Sequence, residues 1–351
     1  MKTIILIVTI SFGSCVYGQN SRQGKQYSIR TIAFYNLENL FDTIDDPSTY
    51  DETSPIMESI QNRSLLYRKK IENMAYVISQ IGSEKANTSP AIIGVCEVEN
   101  RSVLEDLVHS KQLKAKNYEI IHYESPDKRG IDVALLYQTK YFKPIHHEVF
   151  NPNIYRENRR VYTRDQLLVS GYLDDELVHI IVNHWPSRSG GEEKSRPLRE
   201  KAAYQNKKII QRIRMRDEKA KILIMGDFND DPINSSLKAV LKTKGIKSKL
   251  KENDLYNPYE KLFKKGLNTL GHRDHLNLFD MILVSTPLLS KRKKDYSSYK
   301  FYQAKIFNKH FLITRNGRFK GYPFRSFSNG VFTNGFSDHF PVYVYLIKSI
   351  P

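Results

Sequence analysis

Cysteine is nearly absent from this chain, which has two cysteines, Cys15 and Cys96, among 351 residues. A framework of disulfide bonds is therefore excluded as the basis of the fold. Cys96 ends the apolar run 92–96, where a buried structural thiol is far more usual than a nucleophile. The overall apolar and charged fractions are those of an ordinary soluble globular protein, with ample material for a core.

Long hydrophobic runs are also lacking. The apolar stretch 4–10 follows Lys2 and is too short to span a bilayer, which is typical of a secretory signal peptide. Residues 16–18 provide a cleavage point, so the sequence predicts a signal peptide at 1–18, a linker at 19–28 and a domain at 29–351. The protein is then secreted or periplasmic. In a rival interpretation, Cys15 after Gly13-Ser14 is the attachment site of a lipoprotein.

Acidic residues are scarce relative to basic ones: 38 Asp plus Glu stand against 55 Lys plus Arg, a formal net charge of +17. This balance favours polyanionic partners such as nucleic acid or an anionic membrane surface. A basic surface is also compatible with a role in solubility alone. No obligate protein partner is evident from the sequence, and we expect a monomer.

Short apolar segments alternate with helical patterns along the rest of the chain. Apolar residues at three- and four-residue steps predict helices near 71–81 and 198–216, and residues 42–59 read as a loop rich in Asp, Ser, Thr and Pro. Strands are predicted at 29–35, 91–95, 131–137, 177–182, 221–225, 279–284 and 341–346. Polar residues repeatedly follow these strands, as in α/β proteins that build one site from several loops.

The segment 221–232 is the clearest example of this arrangement. An apolar strand runs into Gly226, and Asp227 and Asn229 follow at a spacing of two, which points both side chains toward one face. Such a pair can hold a water molecule and a phosphate. The alternative is a simple Asx-rich turn after a buried strand.

Strand ends supply carboxylates, amides and histidines, but no thiolate. Such a set suits a hard cation, and we expect Mg²⁺ or Mn²⁺ in preference to Zn²⁺. The candidate residues at strand ends are Asn36, Glu38, Glu97, His184, Asp227, Asn229, Asp280, Asp338 and His339.

The order of these motifs resembles that of the endonuclease/exonuclease/phosphatase superfamily, which includes deoxyribonuclease-like and apurinic-endonuclease-like enzymes. The resemblance extends from Asn36 to His339. It implies an α/β fold, a four-layered αββα sandwich with two mostly antiparallel or mixed sheets, and metal-dependent hydrolysis of phosphoesters. The motifs that carry it are Asn36 and Glu38, Glu97, Asn183-His184, Gly226-Asp227-Phe228-Asn229, Asp280, and Ser337-Asp338-His339.

Beside the resemblance, phosphodiester hydrolysis needs a positioned water, neutralised phosphoryl oxygens and help for the departing alkoxide. We expect Glu97 to be the principal metal ligand, with Asn36, Glu38 and Asp338 close to the metal. Asp280 orients the imidazole of His339, which acts as a base or as a cation against the phosphate. Asp227 and Asn229 hold the water and the scissile phosphate, and His184 donates a hydrogen bond to a phosphoryl oxygen.

Several of these residues also have simpler interpretations. Asp338-His339 would be an ordinary turn with a surface histidine. His184 would cap the turn at Trp185-Pro186. Glu99, two residues after Glu97, is the rival candidate for the role of Glu97. Three further residues are candidate substrate-binding groups: Arg129, Arg188 and Asn183. Arg129 belongs equally to a solvated turn, and Arg188 lies in a glycine-rich loop.

A basic and aromatic insertion is predicted at about 287–331. Its cations suit the phosphates of a polynucleotide and its rings suit stacked bases. We expect most rings to pack inside the insertion and the charge to be functional.

These observations favour a secreted or periplasmic metal-dependent nuclease that cleaves DNA or RNA. The alternative is a phosphatase or a phospholipase-type phosphodiesterase with the same site, since the insertion would also suit an anionic membrane. A non-catalytic binding module would lack some site groups, and none is missing.

Overall fold

The computed structural model describes residues 26–59, 61–290 and 295–350. The predicted signal peptide at 1–18, Cys15 and most of the predicted linker lie outside the described residues. Tyr27 and Ser28, assigned above to the linker, already belong to the first strand.

Helices and strands follow the chain in this order. The helices are α1 (Arg63–Gln80), α2 (Ser83–Ala86), α3 (Arg101–His109), α4 (Glu192–Arg216) and α5 (Tyr259–Phe263). The strands are β1 (Tyr27–Leu40), β2 (Ile92–Val98), β3 (Tyr118–His122), β4 (Asp132–Gln138), β5 (Phe142–Phe150), β6 (Ile154–Arg156), β7 (Arg159–Val161), β8 (Gln166–Leu173), β9 (Glu176–His184), β10 (Ile222–Asp227), β11 (Leu255–Tyr256), β12 (Leu270–His272), β13 (His275–Asn277), β14 (Asp280–Ser285), β15 (Lys300–Ile306), β16 (Phe327–Ser328), β17 (Val331–Phe332) and β18 (Val342–Ser349).

Two six-stranded sheets form the centre of the protein. The first has the order β15-β18-β1-β2-β4-β3 and the second the order β11-β14-β10-β9-β8-β5. Each sheet contains one parallel pair, β1 with β2 and β9 with β10, while its other pairs are antiparallel. Parallel neighbours end at the same edge of a sheet, which brings the ends of these strands together.

The sheets pack face to face and are covered by helices. In β1, Ile32 and Phe34 enter the apolar core between the sheets, whereas Ala33 and Tyr35 face the core beneath α1 and α3. This period of two buries the strand on both faces, which explains its nearly continuous apolar sequence. Helix α4 covers the second sheet through the apolar residues Ala202, Ala203, Ile209, Ile210 and Ile213. The predicted αββα sandwich is confirmed.

The predicted insertion at 287–331 has different bounds in the structure. Lys300–Ile306 pairs with β18 as the edge strand of the first sheet, so this stretch belongs to the sandwich. Residues 307–335, called the projecting segment below, lie outside both large sheets and contain only the short β16–β17 hairpin and a turn of 3-10 helix at His310–Leu312. None of the helices in the described part of the chain is both long and apolar enough to cross a bilayer.

Candidate active site

Four strand ends converge at one edge of the sandwich, called the strand-end edge below. In the second sheet, Asp227 at the end of β10 lies opposite His184 of β9 and opposite Asp280 at the start of β14. Gly226 permits this approach, because a methyl group there would lie 2.5 Å from the carbonyl oxygen of Asn183. The sequence therefore places three ionisable groups on neighbouring strands without any contribution from a loop.

Irregular backbone aims the groups of the first sheet at the same edge. The pairing register shifts around 36–40 in β1 and at Glu97 in β2, as in β-bulges. Glu38, Asn39 and Glu97 have positive φ angles of 48°, 49° and 58°, and Asn229 has one of 51°. Residues other than glycine adopt this conformation at a cost, and such strain is concentrated at functional sites.

Glu97, His184 and Asp227 form one cluster at the strand-end edge. Their ligand atoms lie within 4.8 Å of one another, and His184 Nε2 is 3.8 Å from Glu97 Oε1 and 3.7 Å from Asp227 Oδ2. The amide of Asn36 donates to Glu97 Oε1 at 3.1 Å and to Asp227 Oδ2 at 3.2 Å. The backbone N–H of Asn39 donates to Glu97 Oε2 at 3.0 Å. Asn36 thus holds the two carboxylates in fixed positions.

A second cluster consists of Asp227, Asp280 and His339. His339 Nδ1 is 2.7 Å from Asp280 Oδ2, and His339 Nε2 is 4.0 Å from Asp227 Oδ2. This hydrogen bond fixes the orientation of the imidazole and directs its second nitrogen toward Asp227. At 4.0 Å this nitrogen and Asp227 Oδ2 are too far apart for a direct hydrogen bond, and both can contact the same bound atom.

Burial and mutual charge control the proton occupancy of these groups. Burial lowers the pKa of His339, but Asp280, followed by Asp227 and Asp338, outweighs it and raises the pKa well above its usual value. Burial raises the pKa of Asp227 to about 7, and the nearby charge of Asp280 adds to this rise. Burial, with the charge of Arg164, lowers the pKa of His184 well below its usual value, so His184 is neutral.

A buried residue near Asn229, Arg164, was missed by the sequence analysis. Arg164 is 5% exposed and donates to the carbonyl oxygen of Trp185 at 2.6 Å and to Asp127 at 2.9 Å. The amide of Asn229 donates to the same Trp185 carbonyl at 3.0 Å, and its backbone N–H donates to Asp227 Oδ1 at 2.9 Å. Arg164 therefore holds the Trp185 carbonyl group to which the Asn229 amide is also bonded. Its sequence context, an isolated arginine before β8, gives no signal of this role.

Thr269 and Ser337 are two further positioning residues; Ser337 belongs to the motif Ser337-Asp338-His339, whereas no sequence signal indicated Thr269. Thr269 Oγ1 accepts the backbone N–H of Asp280 at 3.3 Å, and its carbonyl accepts the N–H of Phe340 at 2.7 Å. Ser337 Oγ donates to the carbonyl of Asn36 at 2.7 Å and accepts the N–H of His339 at 3.1 Å. The segment around His339 is thereby tied to both sheets.

Glu38 does not join Glu97, contrary to its predicted role as a metal ligand. Its Oε1 accepts a hydrogen bond from Arg325 Nε at 3.0 Å, and its Oε2 accepts the backbone N–H and the hydroxyl of Ser326 at 2.7 and 2.8 Å. Buried Lys70 donates to the backbone carbonyls of Glu38 and Asn39. Both carboxylate oxygens are thus occupied, and Glu38 anchors the projecting segment.

Asp338 lies at the boundary of the strand-end edge. Its Oδ2 is 3.2 Å from Arg325, and about a third of its side chain is exposed. Arg325 therefore bridges Asp338 and Glu38, linking the two acids that were predicted to lie near the metal.

The three predicted substrate-binding residues occupy different environments. Arg129 is half-exposed at the rim and pairs loosely with Asp127 at 3.4 Å. Arg188 is folded onto the turn after β10, where its Nε donates to the carbonyl of Asn229 at 2.9 Å and its other nitrogens contact acidic and amide side chains. Asn183 is fully buried and bonded to the carbonyl of Met225, to Trp185 and to Asn206. Of the three, only Arg129 is free to reach a phosphate.

The residues at this edge fit a divalent cation. Glu97 and Asp227 offer oxygen atoms beside a neutral imidazole, and two buried atoms in the described structure, His184 Nδ1 and Asp280 Oδ1, have no hydrogen-bond partner. Buried carboxylates at this separation repel one another unless a cation or a proton intervenes. The donor set is rich in oxygen, as expected for a hard metal ion.

A cavity of about 430 Å³ adjoins Asp338 and Arg325. One wall is the β12–β13 hairpin, whose Leu270 pairs with His339. The other wall is the projecting segment, which supplies aromatic rings and guanidinium groups. The ring of Tyr322 lies flat on Gly271, where a methyl group would come within 2.5 Å of two ring carbons. The cavity-lining side chains that carry an aromatic ring or a guanidinium group are His272, Arg273, Arg318, Phe319, Tyr322, Phe324 and Arg325.

Comparison with family models identifies the class of protein. The model of the endonuclease/exonuclease/phosphatase family matches residues 31–348, and the chain belongs to this family. It is a metal-dependent phosphoric ester hydrolase. A search of curated proteins found no match.

Solved structures share the fold at low sequence identity. A family member from Bacteroides thetaiotaomicron is 16% identical, with a TM-score of 0.54, and the match covers 93% of this chain and 100% of that chain. A mannosyl-6-phosphatase from the same organism is 17% identical, with a TM-score of 0.53 and coverage of 90% and 99%. A humanized D. rerio TDP2 is 12% identical, with a TM-score of 0.52 and coverage of 91% and 99%. These likenesses support the fold.

Proposed function

We propose that this protein is an exported, Mg²⁺- or Mn²⁺-dependent phosphodiesterase that hydrolyses nucleic acid. The observation that carries the choice of substrate is the cavity beside Asp338, whose lining combines guanidinium groups with aromatic rings and adjoins the strand-end edge at Asp338. Guanidinium groups bind phosphates and rings stack on bases, whatever the base sequence. The net charge of +17 supports the same class of substrate.

The strand-end edge explains the proposed chemistry. Glu97 and Asp227, with His184 beside them, would hold the cation, which supplies positive charge against the phosphoryl oxygens. The protonated imidazole of His339 donates from Nε2 to a phosphoryl oxygen, while Asp280 holds the proton at Nδ1. Asp227 and Asn229 orient the attacking water in line with the departing alkoxide.

A second candidate is a phosphatase that acts on a small phosphate ester. The observation that favours it is the size of the cavity, because about 430 Å³ lies in the range of pockets for small ligands. The similarity to a mannosyl-6-phosphatase is consistent with this alternative. A phospholipid headgroup would occupy the same place if the projecting segment touches an anionic membrane.

The test is a direct comparison of substrates with the purified chain from residue 19 onward. Supercoiled plasmid, single-stranded RNA, a sugar phosphate and anionic vesicles are each incubated with Mg²⁺, with Mn²⁺ and with EDTA. Nicking that requires the metal and is lost in His339→Ala supports a nuclease. Release of phosphate from the sugar phosphate without nicking overturns the nuclease and supports the second candidate. Export is tested separately, by finding the mature protein outside the cytoplasmic membrane of the producing cell.

A further inference from the structure

The loop between β1 and α1 has a charge opposite to that of the rest of the protein. Residues 41–62 contain no lysine or arginine, although the chain as a whole carries +17. Six carboxylates lie in this stretch: Asp42, Asp45, Asp46, Asp51, Glu52 and Glu58. Carboxylates gathered without cations repel each other, so this composition lowers the stability of the loop unless another charge compensates.

Three of these carboxylates converge on one point. Asp45, Asp51 and Glu52 each offer an oxygen, and the three oxygens lie within 4.8 Å of one another. Arg129 of the adjoining turn pairs loosely with Asp127 and not with any of these three carboxylates. No residue of this group belongs to the clusters at the strand-end edge.

The other acids of the loop are used by the loop itself. Asp42 Oδ1 accepts the N–H of Ile44 at 2.7 Å, and Asp46 Oδ1 accepts the N–H of Ser48 at 2.9 Å. These bonds close tight Asx turns and fix the path of the chain. Asp42 and Asp46 therefore stabilise the loop conformation, whereas the oxygens of Asp45, Asp51 and Glu52 converge on one point.

Asp51 provides an independent observation. Its side chain is only 1% exposed, and its Oδ2 accepts the N–H of Asp46 at 3.0 Å. Its Oδ1 is buried and has no hydrogen-bond partner among the described residues. Leaving a buried carboxylate oxygen unpaired is costly, so a hydrogen-bond donor or a cation is expected at this position. A cation between Asp45, Asp51 and Glu52 would meet that need.

We propose that Asp45, Asp51 and Glu52 bind a calcium ion, at a site separate from the catalytic centre. The donors are all oxygens, which disfavours zinc and copper. Two of the three residues are exposed and lie on an irregular loop, which leaves room for backbone carbonyls and water to complete a shell of six to eight ligands. Magnesium is a poorer fit, because it requires near-ideal octahedral geometry.

The bound ion would stabilise the rim of the active site. The N–H of Tyr50 donates to the carbonyl of Lys128 at 2.8 Å, which ties the loop to the turn that carries Arg129. On the loop's other side, Ile56 and Met57 pack with Ile131 of this turn and with Phe327 of the projecting segment. Calcium would therefore raise the resistance of these elements to unfolding.

The experiment measures calcium binding in a Glu97→Gln background, which weakens the catalytic metal site. Isothermal titration with CaCl₂ is expected to show one remaining site, and thermal unfolding is expected to shift upward by a few degrees in millimolar calcium. Asp51→Asn, added to this background, should abolish both effects. Glu58→Gln is the matched control, since Glu58 is an exposed acid of the same loop outside the group, and it should preserve both.

Substitutions of the two exposed ligands distinguish a folding defect from loss of the calcium site. Asp45→Asn and Glu52→Gln each replace one charged ligand at a surface position with a neutral amide and should weaken calcium binding at least several-fold without loss of folded protein. The proposal is overturned if the Glu97→Gln protein binds no calcium, or if it retains calcium binding in the presence of Asp51→Asn. An equal thermal shift with the same concentration of Mg²⁺ would overturn the assignment to calcium. None of these readouts depends on catalytic activity.

Discussion

Charged side chains are buried at the strand-end edge, whereas those on the projecting segment are exposed. At the edge, Asp227, Asp280 and His339 are at most 7% exposed, and hydrogen bonds to other residues of the site hold each of them. On the projecting segment, the side chain of Arg318 is 73% exposed and the ring of Phe319 is 48% exposed. Burial and neighbouring charges shift the pKa values of Asp227 and His339, whereas the cations and rings of the projecting segment lie at the surface, where a substrate can contact them.

This difference predicts separate kinetic roles. Substitutions at the edge should reduce turnover, because they remove groups that act on the reacting phosphate. Substitutions on the projecting segment should change substrate affinity and leave turnover nearly intact.

The largest effect is expected from His339→Ala. Loss of the imidazole removes the proton donor that faces Asp227, and kcat for phosphodiester hydrolysis should fall by at least about two orders of magnitude. Asp227→Ala should cause a loss of similar size. The measurement is steady-state hydrolysis of a phosphodiester in saturating metal.

The control for His339→Ala is His310→Ala, which removes an exposed histidine of the projecting segment. It should leave kcat unchanged. Near-normal turnover by His339→Ala would contradict the proposed role of the strand-end edge.

A smaller effect, about 10- to 100-fold in kcat, is expected from Asp280→Asn. Asp280 raises the pKa of His339, so removing its charge lowers that pKa and the imidazole loses its proton at a lower pH. If the protonated form is the active one, the fall in kcat at high pH should begin at a lower pH than in the wild type. The measurement is kcat against pH; an unshifted profile would show that His339 does not act as a cation.

The strand-end edge could be predicted from sequence because strand geometry determines it. An apolar run followed by Asp227 and Asn229 specifies where these side chains point, and the parallel pairs bring several such ends together. The same rule should have excluded Asn183 from substrate binding, because neighbours in a strand face opposite sides and His184 faces the site. The helix α3 was also missed, although Asn100 is a typical N-cap and accepts the N–H of Val103.

Other parts of the site depend on contacts that local patterns do not encode. Glu38 meets Arg325 and Ser326, nearly three hundred residues away, and its sequence context is identical to that of a metal ligand. Arg164 and Thr269 act through backbone carbonyls and N–H groups of distant strands. The start of the projecting segment was placed too early because the edge strand Lys300–Ile306 has the same basic and aromatic composition.

Glu38→Gln tests whether this residue belongs to the edge or to the projecting segment. If Glu38 anchors the projecting segment, the substitution should weaken its hydrogen bonds to Arg325 and Ser326. The free energy of unfolding should then fall by about 1–3 kcal/mol and KM should rise several-fold. The metal concentration that gives half-maximal activity should stay near the wild-type value. Glu97→Gln is the comparison, since it should raise that metal concentration strongly. An equal rise in Glu38→Gln would show that Glu38 is a metal ligand.

The smallest effect is expected from Phe319→Ala, and it depends on the proposed nucleic acid substrate. Phe319 is half-exposed at the cavity and contributes little to the core, so the loss of one stacking ring should cost about 1 kcal/mol, or about fivefold in KM for single-stranded DNA. Thermal stability should not change.

The matched control is Phe327→Ala, in which a ring of the same segment is lost from a position that is only 5% exposed. Its packing with Phe41, Ile56 and Ile131 predicts a loss of about 3 kcal/mol in unfolding free energy. The two variants separate substrate recognition from packing. Phe319→Ala should change KM and leave the stability unchanged, whereas the main effect of Phe327→Ala should be a loss of stability. If Phe319→Ala left KM for DNA unchanged but raised KM for a small phosphate ester, the cavity would serve the second candidate function. The exposed rings of the projecting segment would then recognise a single small molecule in place of successive bases.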